Sequence, residues 1–329
     1  MNERELREAV GRLPKSIEPP RDLWPDIAAR LSTRRPRWYW LPLAAAAAVA
    51  AVVVTRNFSG APSSGSWPVS VLAGRPLVGS ARLAASGALR VGEWVETDDS
   101  SRALIAVGSI GRVEVKPGTR IRLLEARPDA HRLALARGAI DAKVDAPPRL
   151  FFVETPAGTA IDLGCAYTLE TDSLGNGRLH VTAGYVEFTW RGRRSVVPLG
   201  AIADTRAGMG PGTPYVEDAP EPLRRALAKF DFESGGAGAA GAALASARAE
   251  DAVSLWHLLQ RVDPSQRGAV YDRLAALVPP PPGVTRPGAL ALEPATLDAY
   301  WSSIRRILFR RVILRGVRDI DPRTGTTVK

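Results

Sequence analysis

The residue types able to do chemistry are few, and their settings argue against it. Cys165 is the only cysteine and lies in Asp162-Leu163-Gly164-Cys165-Ala166-Tyr167. A thiolate nucleophile needs a neighbouring base or cation, which nothing local supplies, so Cys165 reads as a small buried residue. One cysteine also excludes an intramolecular disulfide framework and a cysteine-rich zinc site. His131, His180 and His257 stand far apart in sequence, which argues against a histidine-built metal centre. Gly208-Met209-Gly210-Pro211-Gly212 has the glycine density of a phosphate cradle. Pro211 removes a donor amide, however, and no strand-to-helix frame surrounds the run, so a turn is expected. Asp319-Ile320-Asp321 with Gly325 opens like a calcium loop but lacks the later glutamate and reads as a solvated tail. There is no Gly-x-Ser-x-Gly elbow, Walker loop or His-Glu-x-x-His helix. No catalytic, cofactor or metal site is expected, and the chain does not read as an enzyme.

The informative features lie in the elements themselves. The chain has 329 residues, 45% hydrophobic and 24% charged, enough for about two folded domains. Lys and Arg number 44 against 34 Asp and Glu, a net charge of +10. Such a balance suits nucleic acid or an anionic membrane surface. The excess is nearly all arginine spread along an alanine-rich chain, which reads as compositional bias, and no direct nucleic-acid partner is expected.

Residues 38–55, between Arg37 and Arg56, carry no charge: Trp38-Tyr39-Trp40-Leu41-Pro42 followed by an Ala/Val run. As a helix this stretch spans roughly 27 Å, close to the hydrocarbon thickness of a bilayer. Pro42 falls in the first turn, where its missing donor costs least. Trp38, Tyr39 and Trp40 form an aromatic belt at one interface, behind a cluster that includes Arg34, Arg35 and Arg37. The positive-inside rule then keeps the N-terminus in the cytoplasm and exports everything after Arg56. Thirty-seven polar-rich residues before the apolar run are too many for the n-region of a cleaved signal peptide. A single-pass anchor is the reading, with a buried alanine-rich core helix as the alternative.

Residues 1–37 read as two short helices around a proline turn. Asp22 is placed to cap the second, with Pro25 in its first turn. Leu23, Trp24, Ile27 and Leu31 then share one face at three-to-four spacing. So short a helix cannot cover that face itself; a partner protein or the membrane surface must. Residues 56–68 are rich in Ser, Gly, Pro and Ala, the composition of a flexible linker.

From residue 69 to 207 the period becomes two. Val113, Val115, Ile121 and Leu123 alternate with polar residues, as in strands with one buried face. Arg132–Ile140 aligns with Arg178–Val186, and a fainter copy follows around Val197, Gly200 and Ala203. A repeat of roughly 40–46 residues implies stacked β-hairpin units. The fold class expected is mainly β, a β-solenoid or β-roll with a sandwich as the alternative, plus one transmembrane helix and a C-terminal α-helical region over 217–329. In that region Glu221–Phe232, Glu250–Leu259, Gly268–Leu277 and Glu293–Ile307 have helical patterns. Ser234–Ala247 is a Gly/Ala linker or weak helix, and Pro279–Pro282 a stiff break. Arg305, Arg306, Arg310, Arg311, Arg315 and Arg318, interleaved with apolar residues, suit either a lipid-facing element or a last packed helix or strand.

Four runs carry a family resemblance: Gly92-Glu93-Trp94-Val95-Glu96-Thr97-Asp98, Ser101-Arg102-Ala103-Leu104, Val115-Lys116-Pro117-Gly118-Thr119 and Phe152-Val153-Glu154-Thr155-Pro156-Ala157-Gly158-Thr159. In order and turn residues they resemble the FecR domain, the exported sensing domain of iron-dicitrate-type transmembrane regulators, over about Gly79 to Ala207. Leu13-Pro14, Ser16 through Trp24 and Ile27 resemble the last helix of bacterial anti-sigma domains. Only about one and a half of the usual three or four helices fit into residues 1–37, and the zinc-type His/Cys pattern is absent.

The resemblance implies a regulator in the bacterial inner membrane, N-terminus cytoplasmic and C-terminus periplasmic. Leu23, Trp24, Ile27 and Leu31 would dock on an extracytoplasmic-function sigma factor, while the exported part meets an unidentified envelope protein or ligand. The alternative is an anchored envelope scaffold or ligand-binding module with no sigma-factor role.

Overall fold

Alternation of buried and less buried side chains runs through most of the longer strands of the β region, as the period-two pattern requires. A computed structural model describes residues 65–318, with side chains as far as Leu308. The strands, in chain order, begin with β1 (Ser66–Ala73), β2 (Leu77–Val78), β3 (Ala81–Arg82), β4 (Ser86–Arg90), β5 (Trp94–Glu96) and β6 (Arg102–Val107). Next come β7 (Gly111–Val115), β8 (Arg120–Arg127), β9 (Ala130–Val144), β10 (Phe151–Thr155), β11 (Gly158–Asp162) and β12 (Cys165–Thr171). The last are β13 (Gly177–Ala183), β14 (Tyr185–Trp190), β15 (Arg193–Pro198), β16 (Ala201–Arg206), β17 (Gly210–Pro211) and β18 (Tyr215–Val216).

Two sheets share one strand. The first runs β4-β1-β6-β7-β9-β12-β13-β16, with β17 and β18 both on β16. The second runs β3-β2-β5-β8-β9-β10-β11-β14-β15, antiparallel except where β10 lies parallel to β9. The first half of β9 belongs to the second sheet and its second half to the first. Across that passage the buried positions change parity: Leu133 and Leu135 before it, Ile140, Ala142 and Val144 after it. A register shift between Arg120 and Ile121 of β8 accompanies the change. Gly138 sits at the bend with φ +91°, a conformation that L side chains rarely adopt, and a Cβ there would collide with Thr119. The repeat places Gly184 at the matching crossover, between β13 and β14.

One apolar cluster fills the space between the sheets. Trp67, Phe151, Tyr167 and Phe188 are its largest members, all within 2% of complete burial. Each such side chain contributes on the order of 1.5–3 kcal/mol. Burying Trp67 draws β1 back to Ser66, inside the stretch whose composition reads as linker. Val113, Val115, Ile121 and Leu123 are fully buried, as their alternation predicts.

The C-terminal region is helical: α1 (Glu221–Phe232), α2 (Gly236–Ser246), α3 (Ala252–Arg261), α4 (Arg267–Leu277), α5 (Arg286–Leu290) and α6 (Pro294–Arg318). The Gly/Ala segment is thus a helix. Alanine favours helix, and Ala239, Ala240 and Ala243 are small enough to be buried in close packing. A second core gathers Leu223, Leu227, Leu255, Leu258, Tyr300 and Ile304 with Tyr215 and Val216 of β18. Tyr300 donates from its hydroxyl to the Val278 carbonyl (2.6 Å), holding α6 against the end of α4. The chain is therefore mainly β with a C-terminal helical region, and all described residues belong to one compact unit. Among them no helix is long and apolar enough to cross a membrane. The span expected at residues 38–55 lies outside the described residues.

Candidate functional site

The residues expected to bind a partner (Leu23, Trp24, Ile27, Leu31) and to face the membrane interface (Arg34, Arg35, Arg37, Trp38, Tyr39, Trp40) lie outside the described residues, as does the acidic run at 319–321. The other sequence candidates fall in structural positions. Cys165 is buried, and its thiol donates to the Asp162 carboxylate at 2.6 Å. Burial, then the charge of Asp162, pushes the thiol pKa far up, the opposite of what a nucleophile needs. The glycine-rich run is the tight turn between β16 and β17, with Arg206 paired to Gly210 across it.

The resemblance motifs also occupy structural positions. Thr97 donates from its hydroxyl to the Lys116 carbonyl (2.6 Å) and accepts from the Thr119 amide (2.9 Å). Thr119 in turn accepts from the Ala139 amide (2.9 Å) beside the bend in β9. These hydroxyls stitch three passages between the sheets, which explains threonine at both positions. Trp94 lies on the outer face of the second sheet with the Arg120 guanidinium 4.2 Å from its ring centroid.

The three histidines are separate. His131 is buried against Trp67, ring centroids 5.7 Å apart, with Nδ1 unpartnered, and burial lowers its pKa. His180 contacts Glu217 at 2.6 Å. His257, on α3, is 3% exposed and is covered by β15 and by Trp301 of α6. Among the described residues no group of three His, Cys, Asp or Glu side chains gathers as a metal site would require.

The densest polar constellation joins the helices to the second sheet at its edge strand, β15. His257 Nε2 accepts from the Val196 amide at 3.0 Å, with Nδ1 2.9 Å from the Val253 carbonyl. Donation from Nδ1 to that carbonyl fixes the neutral ring. Burial, with the nearby charge of Arg261, pushes its pKa down to about 3. Arg261, one turn on, donates to the Arg194 carbonyl (3.0 Å), Ser195 Oγ (2.7 Å), Thr213 Oγ1 (2.8 Å) and Asp231 (3.0 Å). Asp231, on α1, also accepts from Arg193 and from the Thr213 amide. The edge groups of Val196 and Arg194, which would otherwise await another strand, are thus satisfied by side chains of α3. Sequence reasoning missed this cluster; its one local trace is His257 and Arg261 four apart on a helix.

Polar concavities are open among the described residues. One, of about 320 Å³, crosses the outer face of the first sheet and is lined by Arg112, Glu114, Asp141, Lys143, Thr168 and neighbours. Another, of about 330 Å³, lies between the ends of β12, β13 and β16 and helix α1.

No family model matches the chain, and neither does any curated protein. Among solved structures the chain is similar to two crystal structures, at 1.65 Å and 2.50 Å resolution, of a candidate anti-sigma factor from Parabacteroides distasonis ATCC 8503. Identities are 16% and 17%, and the TM-score is 0.34 in each. The match covers 40% of this chain and 63% and 62% of those chains, less than two thirds of their length.

Proposed function

We propose that this protein is a single-pass inner-membrane regulator. Residues 1–37 hold an extracytoplasmic-function sigma factor on the cytoplasmic side, and a FecR-like β domain with its attached helices reads a signal in the periplasm. The observation that carries the reading is the uncharged run 38–55, with arginines clustered on one side and a foldable β region on the other. The apolar face of Leu23, Trp24, Ile27 and Leu31 suits helix-in-groove recognition. Binding there would withhold the sigma factor from RNA polymerase, and a change in the exported part would alter that occupancy. The linkage of helices to β15 makes the exported part a single body to which a signal can be applied.

The full-length protein, solubilised from its membrane after crosslinking, should carry a sigma factor with it. Trp24→Ala should weaken that association by about 2 kcal/mol or more if Trp24 is the anchor. Reporter fusions should place the N-terminus inside and the C-terminus outside. Recovery without any sigma factor, from a correctly oriented protein, would leave the anchored ligand-binding module as the better reading, which the open concavities on the β region favour.

A further inference from the structure

On the outer face of the first sheet, strands β7 and β9 set charges of like sign opposite one another, whereas Arg178 of β13 faces Glu170 and Asp204. Arg112 of β7 lies directly opposite Lys143 of β9, and in the adjacent row Glu114 lies directly opposite Asp141. Like charges in facing positions repel, their Cβ atoms about 5 Å apart. The acidic row is relieved by its surroundings. Glu114 is held by Arg102, while Asp141 takes Lys116 at 2.9 Å and the Thr168 hydroxyl at 2.6 Å. The basic row has no such relief: among the described residues neither Arg112 nor Lys143 meets a side-chain partner. Both are exposed, and both line the concavity of about 320 Å³.

Their flanks leave the space above them open. Ala106 faces Arg112 from β6, and Ala166 faces Lys143 from β12, so the row reads Ala-Arg-Lys-Ala across four strands. Counting Arg102 and Lys116 with the two acids they neutralise, the local balance is two positive charges, both on the unrelieved pair. A guanidinium fork and an ammonium point charge side by side can share the oxygens of one anion. Such an anion converts their mutual repulsion into two charge-assisted contacts.

We infer that this groove binds a doubly charged oxyanion of phosphate size between Arg112 and Lys143. The source is either free phosphate or the end group of a phosphate monoester. The inference goes beyond the regulatory reading and does not depend on it, because the groove is the same whether or not residues 1–37 hold a partner.

The test is calorimetric titration of the full-length protein in neutral detergent, at low ionic strength and pH 8, with inorganic phosphate and then with glycerol phosphate. One saturable site is expected. It should weaken at least tenfold in Arg112→Gln and in Lys143→Gln, and remain unchanged in Arg137→Gln, an exposed arginine of the other sheet. Tighter binding of glycerol phosphate would identify a monoester as the source; tighter binding of inorganic phosphate, the free ion. In the unsubstituted protein the side-chain nitrogen resonance of Arg112 should shift as the site fills, a readout independent of how the variants fold. Absence of saturable binding, or binding that both groove variants retain, would overturn the proposal.

Discussion

His257 Nε2 lies 3.0 Å from the amide of Val196, so a helix side chain occupies the place where a further strand would accept that hydrogen. Replacing His257 with Ala leaves the Val196 amide without its acceptor. The expected loss is about 1–3 kcal/mol of stability. Denaturant unfolding should register it, and amide hydrogen exchange at Val196 should accelerate selectively.

The same histidine gives the protein an acid limit. Its folded pKa is held down to about 3, against about 6.5 in an unfolded chain. Between those values the unfolded chain binds the additional proton. Its contribution is therefore whole above about pH 6.5 and is lost as pH falls towards 3, at about 1.4 kcal/mol per pH unit. The slope of stability against pH should be shallower in His257→Gln than in the unsubstituted protein across that window, and equal slopes would count against the assignment.

Among the described residues Asp231 is the one carboxylate paired with both Arg193 and Arg261, and its side chain is 1% exposed. Asp231→Ala should cost about 3–5 kcal/mol, because it strands the Arg261 charge in a buried position. Since the helices meet the sheet edge through this cluster, their protection from proteolysis should fall with it. A loss below 1 kcal/mol would mean that solvent reaches the guanidinium.

At the bend of β9, Gly138→Ala faces both a disfavoured φ of +91° and a collision with Thr119. About 3 kcal/mol or more is expected. Gly192 is the control: its φ is +83°, but a Cβ there meets nothing within 4 Å, so Gly192→Ala should cost about 1 kcal/mol. Thermal unfolding of the pair separates collision from backbone strain.

Much of the architecture was legible because it is local. Alternation exposed the buried faces of β7 and β8. The aligned segments around Gly138 and Gly184 exposed an internal repeat, though only strand pairing shows that its glycines lie at crossovers between the sheets, and three-to-four spacing located α3, α4 and α6. What stayed hidden is long-range. Nothing in the sequence says that β10 lies parallel to β9 while β12 lies antiparallel to its other half, since both readings bury the same residues. The cluster at β15 was invisible for the same reason: Arg261 and Ser195 meet across 66 positions. Arg112 and Lys143 are ordinary surface cations until strand register sets them face to face.

Strand β1 is gripped on both flanks, by β4 and by β6, and it is also where the described fold begins. Tension arriving at Ser66 along the strand axis would load both ladders in shear, so their bonds must yield together rather than unzip one at a time. A tether fastened there could be tugged from outside the fold and still hold, passing the pull inward through Trp67 to the middle of the domain.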